Sequence, residues 1–234
     1  MNTQRGVALI LVVLFTSFLS AIGLGLALVV FMDRLATGNV QGSVGMLYAA
    51  DAGIELVAHD LARAADWDLV LSGGVPASFT DGAAGGGRGI PGGGSVDLTA
   101  ASNLLNCGKA AACTVAQMDA NSRERPWGAN NPRWQLFAYG PFGELTAFER
   151  PTPCYLAVWV ADDGREQDGD PLSDGADESR PGHGIVRVRA EVYGPRGSRR
   201  AVEAELARFC LPEAGGCRPG IRVQSWQELR QTLP

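Results

Sequence analysis

Histidine is scarce in this chain of 234 residues: there are two, His59 and His183. Glu55 precedes His59 by four positions, but no second histidine completes the pair that a helical zinc protease site requires. His59 therefore reads as an exposed helical residue and His183, between two glycines, as a turn residue. No lysine-serine or lysine-threonine pair follows any glycine cluster, which excludes a phosphate-binding loop. No serine stands in a Gly-x-Ser-x-Gly elbow. Asp162 and Asp163 are adjacent carboxylates, yet nothing in the surrounding sequence predicts a shifted pKa or a concave pocket. The chain reads as a non-enzyme. Positive charge is in deficit, with a formal net charge of -5, so a nucleic-acid partner has no compositional support.

Charge itself is missing from Val7 to Met32, a run of 26 residues. A helix needs roughly 20 apolar residues to cross a bilayer core, and the apolar core of a cleaved secretory signal is shorter. Arg5 precedes the run and Asp33-Arg34 follows it. The expectation is a membrane anchor with its basic end in the cytoplasm and the remainder exported.

The helical period continues past the apolar run. Val40, Val44, Leu47, Ile54, Ala58, Leu61 and Ala65 fall on one stripe, with Glu55, Asp60 and Arg63 off it. One helix from about Val7 to about Ala65 is predicted, apolar all round in residues 7–32 and amphipathic in 33–65. The stripe needs a partner, and the C-terminal domain supplies it. Gly23, Gly25, Gly38, Gly42, Gly45 and Gly53 interrupt the helix, each at about 1 kcal/mol against alanine. Two readings stand: close packing against a neighbouring helix, or a segment able to stretch on assembly.

Arg5-Gly6-Val7-Ala8-Leu9-Ile10 resembles the processing site of type IV pilin-like proteins. Met32 to Asn39 and Leu47 to Glu55 are similar to segments of PilX-type minor pilins, with Asp51 where that group usually has glutamate. The resemblance covers about the first 65 residues. It implies a leader, residues 1–6, cut after Gly6 by a prepilin peptidase, with Val7 as the first mature residue. It also implies an α+β, pilin-like fold: a long N-terminal helix on a small antiparallel sheet. Most of the family carries glutamate at the fifth mature position, where it pairs with the amine of a neighbouring subunit; here that residue is Leu11. A subunit without this carboxylate suits the tip of a filament, and PilX-like and GspK-like minor subunits share its absence.

Residues 66–133 lose periodicity. Gly73-Gly74, Gly85 to Gly87, Gly89 and Gly92 to Gly94 read as loop, with a short helix expected between Cys113 and Asp119. Five cysteines in an exported domain predict disulfides. Cys107 and Cys113 suit a small local loop, a zinc knuckle being excluded by spacing. Cys210 and Cys217 suit another, unless Cys154 is drawn into a bridge; two bridges leave one thiol over.

Residues 134–234 read as a sheet domain of about three or four strands. Trp134 to Tyr139 and Cys154 to Ala161 are rich in aromatic and β-branched residues. Gly184 to Tyr193 and Arg199 to Cys210 alternate around the turn Gly194-Pro195-Arg196-Gly197, as a hairpin with one buried and one solvated face. Ile221 to Ser225 is a short candidate strand, and Trp226 to Leu233 suits a last turn of helix. Residues 162–178 hold eight acids and one arginine. Either calcium occupies Asp162, Asp163, Asp168, Asp170 and Asp174, or the loop is simply solvated; the EF-hand spacing is not met.

The expectation is thus a minor pilin that primes assembly and sits at or near the tip of a type IV pilus. The alternatives are a minor pseudopilin of a type II secretion system, or a membrane-tethered envelope binding or adhesion module. Its expected partners are other minor and major pilins through the N-terminal helix, prepilin peptidase, the inner-membrane assembly platform and a tip adhesin. Its expected location is the bacterial inner membrane, with the C-terminal domain in the periplasm, and the pilus tip after assembly.

Overall fold

The structure is a computed structural model describing residues 4–121, 127–145, 152–166, 168–174, 183–213 and 216–229, with residues 4–6, 213 and 217 described by backbone alone. The elements in chain order are α1 (Gln4–Arg63), α2 (Asp68–Leu71), β1 (Gly87–Gly89), β2 (Ser95–Asp97), α3 (Leu98–Cys107), α4 (Val115–Asp119), β3 (Gln135–Pro141), α5 (Phe142–Leu145), β4 (Tyr155–Asp162), β5 (Ile185–Tyr193), β6 (Arg199–Glu213) and β7 (Gly216–Glu228). The chain divides into two units, Met1–Val44 and Gly45–Pro234.

The first unit is the N-terminal part of α1. Its large apolar side chains between Val7 and Met32 are all exposed. The helix is long and apolar enough to cross a membrane. Asp33 and Arg34 are the first charges after Arg5, so no charged group has to be carried into a hydrocarbon interior.

In the second unit the remainder of α1 packs on an antiparallel five-stranded meander of order β3-β4-β5-β6-β7. The helix buries Met46, Ala49, Ala50, Ile54, Val57 and Leu61. This stripe lies about one residue away from the one expected: Ile54 and Leu61 are shared, Leu47 and Ala58 are only partly buried, and Val40, Val44 and Ala65 are exposed. Small residues displace the larger ones because the helix sits close to the sheet. A Cβ on Gly53 would come within 2.9 Å of Leu156 Cδ1 and 3.0 Å of Val158 Cγ2. Gly53 thus serves close packing, against a strand rather than a helix. Gly23, Gly25, Gly38 and Gly42 meet nothing within 4 Å.

Alternation in the strands decides which side chains meet the helix. Leu156, Val158 and Val160 of β4, then Val186, Val188, Ala190 and Val192 of β5, then Val202, Ala204 and Leu206 of β6, form the helix-side core. Register sets them in rows: Val158 opposite Ala190 and Ala190 opposite Val202; Val160 opposite Val188 and Val188 opposite Ala204.

The other face of the sheet is covered too, which corrects the expected solvated face. Tyr155, Ala157, Trp159 and Ala161 form a second core with Leu98 and Leu105 of α3. Helix α3 falls where loop was expected. It begins because Asp97 accepts a hydrogen bond from Ala100 N, and it ends at Gly108, whose φ of 73° is the left-handed C-cap geometry. Trp159 Nε1 donates to Ser102 Oγ at 2.8 Å, and Asn106 both donates to Trp134 O and accepts from Trp134 N. Across β5 and β6 the same face carries ion pairs: Arg187 with Glu203, Arg189 with Glu191, and Arg199 with Glu191. Glu191 is fully buried.

The short helix near Cys113 is α4, opened by a capping box of Thr114 and Gln117. The tail differs from expectation. Trp226 to Glu228 continue β7 instead of starting a helix, because Ala204, Glu203 and Val202 of β6 supply their ladder partners. Leu229 then donates its N–H to Ala201 O at 2.9 Å, and residues 230–233 of that expected helix lie outside the described residues.

Candidate functional site

Strand β4 ends at Asp162, and the chain then turns through Asp163, Gly164 and Arg165. Asp163 Oδ2 accepts from Arg165 Nε at 2.8 Å, and Arg165 also reaches Glu205 at 3.2 Å. That ion pair draws Asp163 away from its neighbour. Asp162, Glu166 and Asp174 turn inwards instead. Each offers a carboxylate oxygen, and these oxygens lie within 4.8 Å of one another. Asp162 and Glu166 are 3% exposed and Asp174 6%.

The polar partners of the three acids are few. Asp174 Oδ1 accepts from Gly184 N at 2.8 Å, while its own N–H donates to Asp68 Oδ1 at 2.7 Å. Asp162 Oδ1 and both oxygens of Glu166 are buried with no hydrogen-bond partner among the described residues. Burial, followed by the charge of Glu166, pushes the Asp162 carboxyl up to about 9. Burial, followed by the charges of Asp168 and Asp174, pushes Glu166 up to about 7. Burial raises Asp174 to about 6 against the Gly184 N–H and the nearby His183 and Arg208. Three acids buried together repel one another unless something positive joins them.

Of the five acids expected as calcium ligands, the structure therefore brings together Asp162 and Asp174 alone. Asp163 is held by Arg165. Asp168 and Asp170 stay in local turns, accepting from Asp170 N and Leu172 N respectively. The sequence around Asp162 signalled no shifted pKa, whereas burial beside Glu166 raises its carboxyl. Glu166 was not among the acids expected to meet, and His183 was not expected beside them, its Nδ1 lying 2.9 Å from Asp174 O. The one legible signal was that Glu166 stands four residues after the acid that closes the strand.

Elsewhere, His59 is exposed on α1, with Nε2 3.4 Å from Arg63 Nη1. Gly6, Val7 and Leu11 lie in the first turns of α1, and Leu11 is exposed. Cys107 and Cys113 form a disulfide, Cys210 is disulfide-bonded as well, and Cys154 is a buried free thiol. The expected alternative in which Cys154 joins a bridge is thus corrected: the residue closes into the helix-side core. A groove of about 380 Å³ beside the acidic turn is lined by Arg165, Arg187, Glu203 and Glu205, whose charges pair with one another: Arg165 with Glu205, and Arg187 with Glu203.

Compared with protein-family models, with curated proteins and with solved structures, the chain matches none.

Proposed function

We propose that this protein is a minor, pilin-type subunit of an envelope filament, anchored in the inner membrane by residues 7–32 before assembly and placed at or near the filament tip afterwards. The observation that carries the reading is that one unbroken helix, Gln4–Arg63, supplies both an uncharged membrane-length run and the helix of the sheet domain. An ordinary anchor has no reason to continue into the fold it tethers. A filament subunit does, because the anchor is withdrawn from the bilayer and repacked among neighbouring helices. The sequence around Gly6, similar to a prepilin processing site, adds to this. So does Leu11, which gives the helix no carboxylate for the N-terminal amine of a neighbour.

Partners under this reading are other pilins, through the exposed apolar part of α1, together with prepilin peptidase and the assembly platform. A minor pseudopilin of a secretion system has the same N-terminal logic and belongs to the same class. The test is the N-terminal mass of the protein from membranes, with and without prepilin peptidase. Loss of Met1 to Gly6 in the presence of the peptidase alone is the expected result. An N-terminus that stays intact, or one cut beyond Ala21, refutes it.

A further inference from the structure

We propose that Asp162, Glu166 and Asp174 form a calcium site that fastens the connection between β4 and β5. Three observations lead there. The three acids converge to within 4.8 Å from the end of a core strand and from the loop that follows it. They are buried, unlike the exposed Asp170 of the same loop. Glu166 in particular is 97% withdrawn from solvent on its 3% exposure, with neither oxygen hydrogen-bonded among the described residues, and Asp162 Oδ1 is buried and unpaired as well. A carboxylate group buried without donors is costly, and an acidic loop with nothing to bind turns such groups out to water.

Neighbouring cations meet the cost only in part, His183 favouring the charged forms of Glu166 and Asp174 and Arg208 that of Asp174. Arg165 is engaged by Asp163 and Glu205, and Arg208 lies over the Trp67 ring at 4.2 Å. Among the described residues no ion pair reaches Asp162, Glu166 or Asp174. The donors are all oxygens, which selects a hard cation over zinc or copper. Calcium sits about 2.3–2.6 Å from its ligands in irregular geometries, whereas magnesium demands a near-octahedral shell at about 2.0–2.1 Å. One carboxylate from a strand end and two from the loop after it, with remaining positions left to carbonyls and water, suit the larger ion. Occupancy would tie Asp162 at the strand end to Asp174, whose Oδ1 already holds Gly184 N just before β5. The inference stands whether or not the chain assembles into a filament.

The experiment uses the full chain in detergent, stripped with a chelator and then titrated with calcium chloride or magnesium chloride. Calorimetry gives stoichiometry, and thermal melting gives the stabilisation. One calcium per chain is expected, with a dissociation constant on the order of 10⁻⁴–10⁻³ M as in extracellular modules. At ten times that concentration the unfolding constant falls about elevenfold. Glu166→Gln is expected to weaken calcium binding at least about tenfold and, in chelator, to melt no lower than wild type, since it removes repulsion rather than a bond. Asp170→Asn retains the wild-type response. If the Glu166 variant fails to fold, Asp162→Asn is read in the same titration. A wild-type chain without a calcium response, an equal response to magnesium, or a Glu166 variant that responds as wild type does would each overturn the proposal.

Discussion

Alanine at Gly53 is expected to destabilise the protein although it removes a glycine from a helix interior. The propensity gain is about 1 kcal/mol. Against it stands the sheet. The new methyl would lie 2.9 Å and 3.2 Å from the two Cδ atoms of Leu156 and 3.0 Å from Val158 Cγ2, where carbon atoms rest at about 3.5–4.0 Å. Neither neighbour can recede, because β4 is buried along its whole length and Trp159 and Tyr155 hold its far face. Overpacking of this kind costs about 1–3 kcal/mol, so the net effect is a loss of about 0–2 kcal/mol. In a domain of this size that lowers Tm by at most about 8 °C, at roughly 2–4 °C per kcal/mol. The assay is thermal unfolding followed by far-ultraviolet circular dichroism, run on Gly53→Ala, Leu156→Ala and the double variant. Leu156→Ala removes two of the three obstructing atoms, so in that background Gly53→Ala is expected to become stabilising, with a coupling of about 0.5–3 kcal/mol. A Gly53→Ala chain that gains the full propensity term by itself would refute the close helix–sheet approach.

Three further outcomes are expected. Burial pushes the Cys154 thiol up to about 12, so it stays protonated; peptide mapping after iodoacetamide at pH 8 should find it unmodified in native protein and alkylated once the chain is unfolded. Burial alone would raise the Glu191 carboxyl, but Arg189 and Arg199 outweigh it and hold it below its ordinary value of 4.5. Its stabilisation is thus present above the unfolded-state pKa and lost as pH falls through the lower folded one, and Glu191→Gln should flatten the acid limb of a stability-against-pH curve while costing about 1–3 kcal/mol at neutral pH, since Arg199 loses its carboxylate and Arg189 keeps only Glu203. Replacing Cys107 and Cys113 by serine opens a seven-residue loop, which should lower stability by about 2 kcal/mol in denaturant titration.

The elements with a strong period were legible in the sequence. The membrane-length run needs only the absence of charge, and α1 and the β5–β6 hairpin repeat their apolar residues every three to four or every two positions. The capping box opening α4 is likewise local. Helix α3 was not legible, because it buries only Leu98 and Leu105 and its start and stop rest on single capping residues. Strand β7 was read too short because it is a mostly exposed edge strand, in which burial imposes little alternation.

Local chemistry along the chain dictates an uncharged span, a helix that outlasts it, strands behind it, and a run of acids between two of them. The tertiary structure alone decided which acids meet. Asp163 and Asp162 are adjacent, but strand alternation and the Arg165 ion pair send them to different places, while Glu166 and Asp174 come to Asp162 through the turn that follows β4. It also decided the helix face, since the distance between α1 and β4 is a property of both surfaces at once. Glycine at position 53 has meaning only when Leu156 and Val158 stand opposite it.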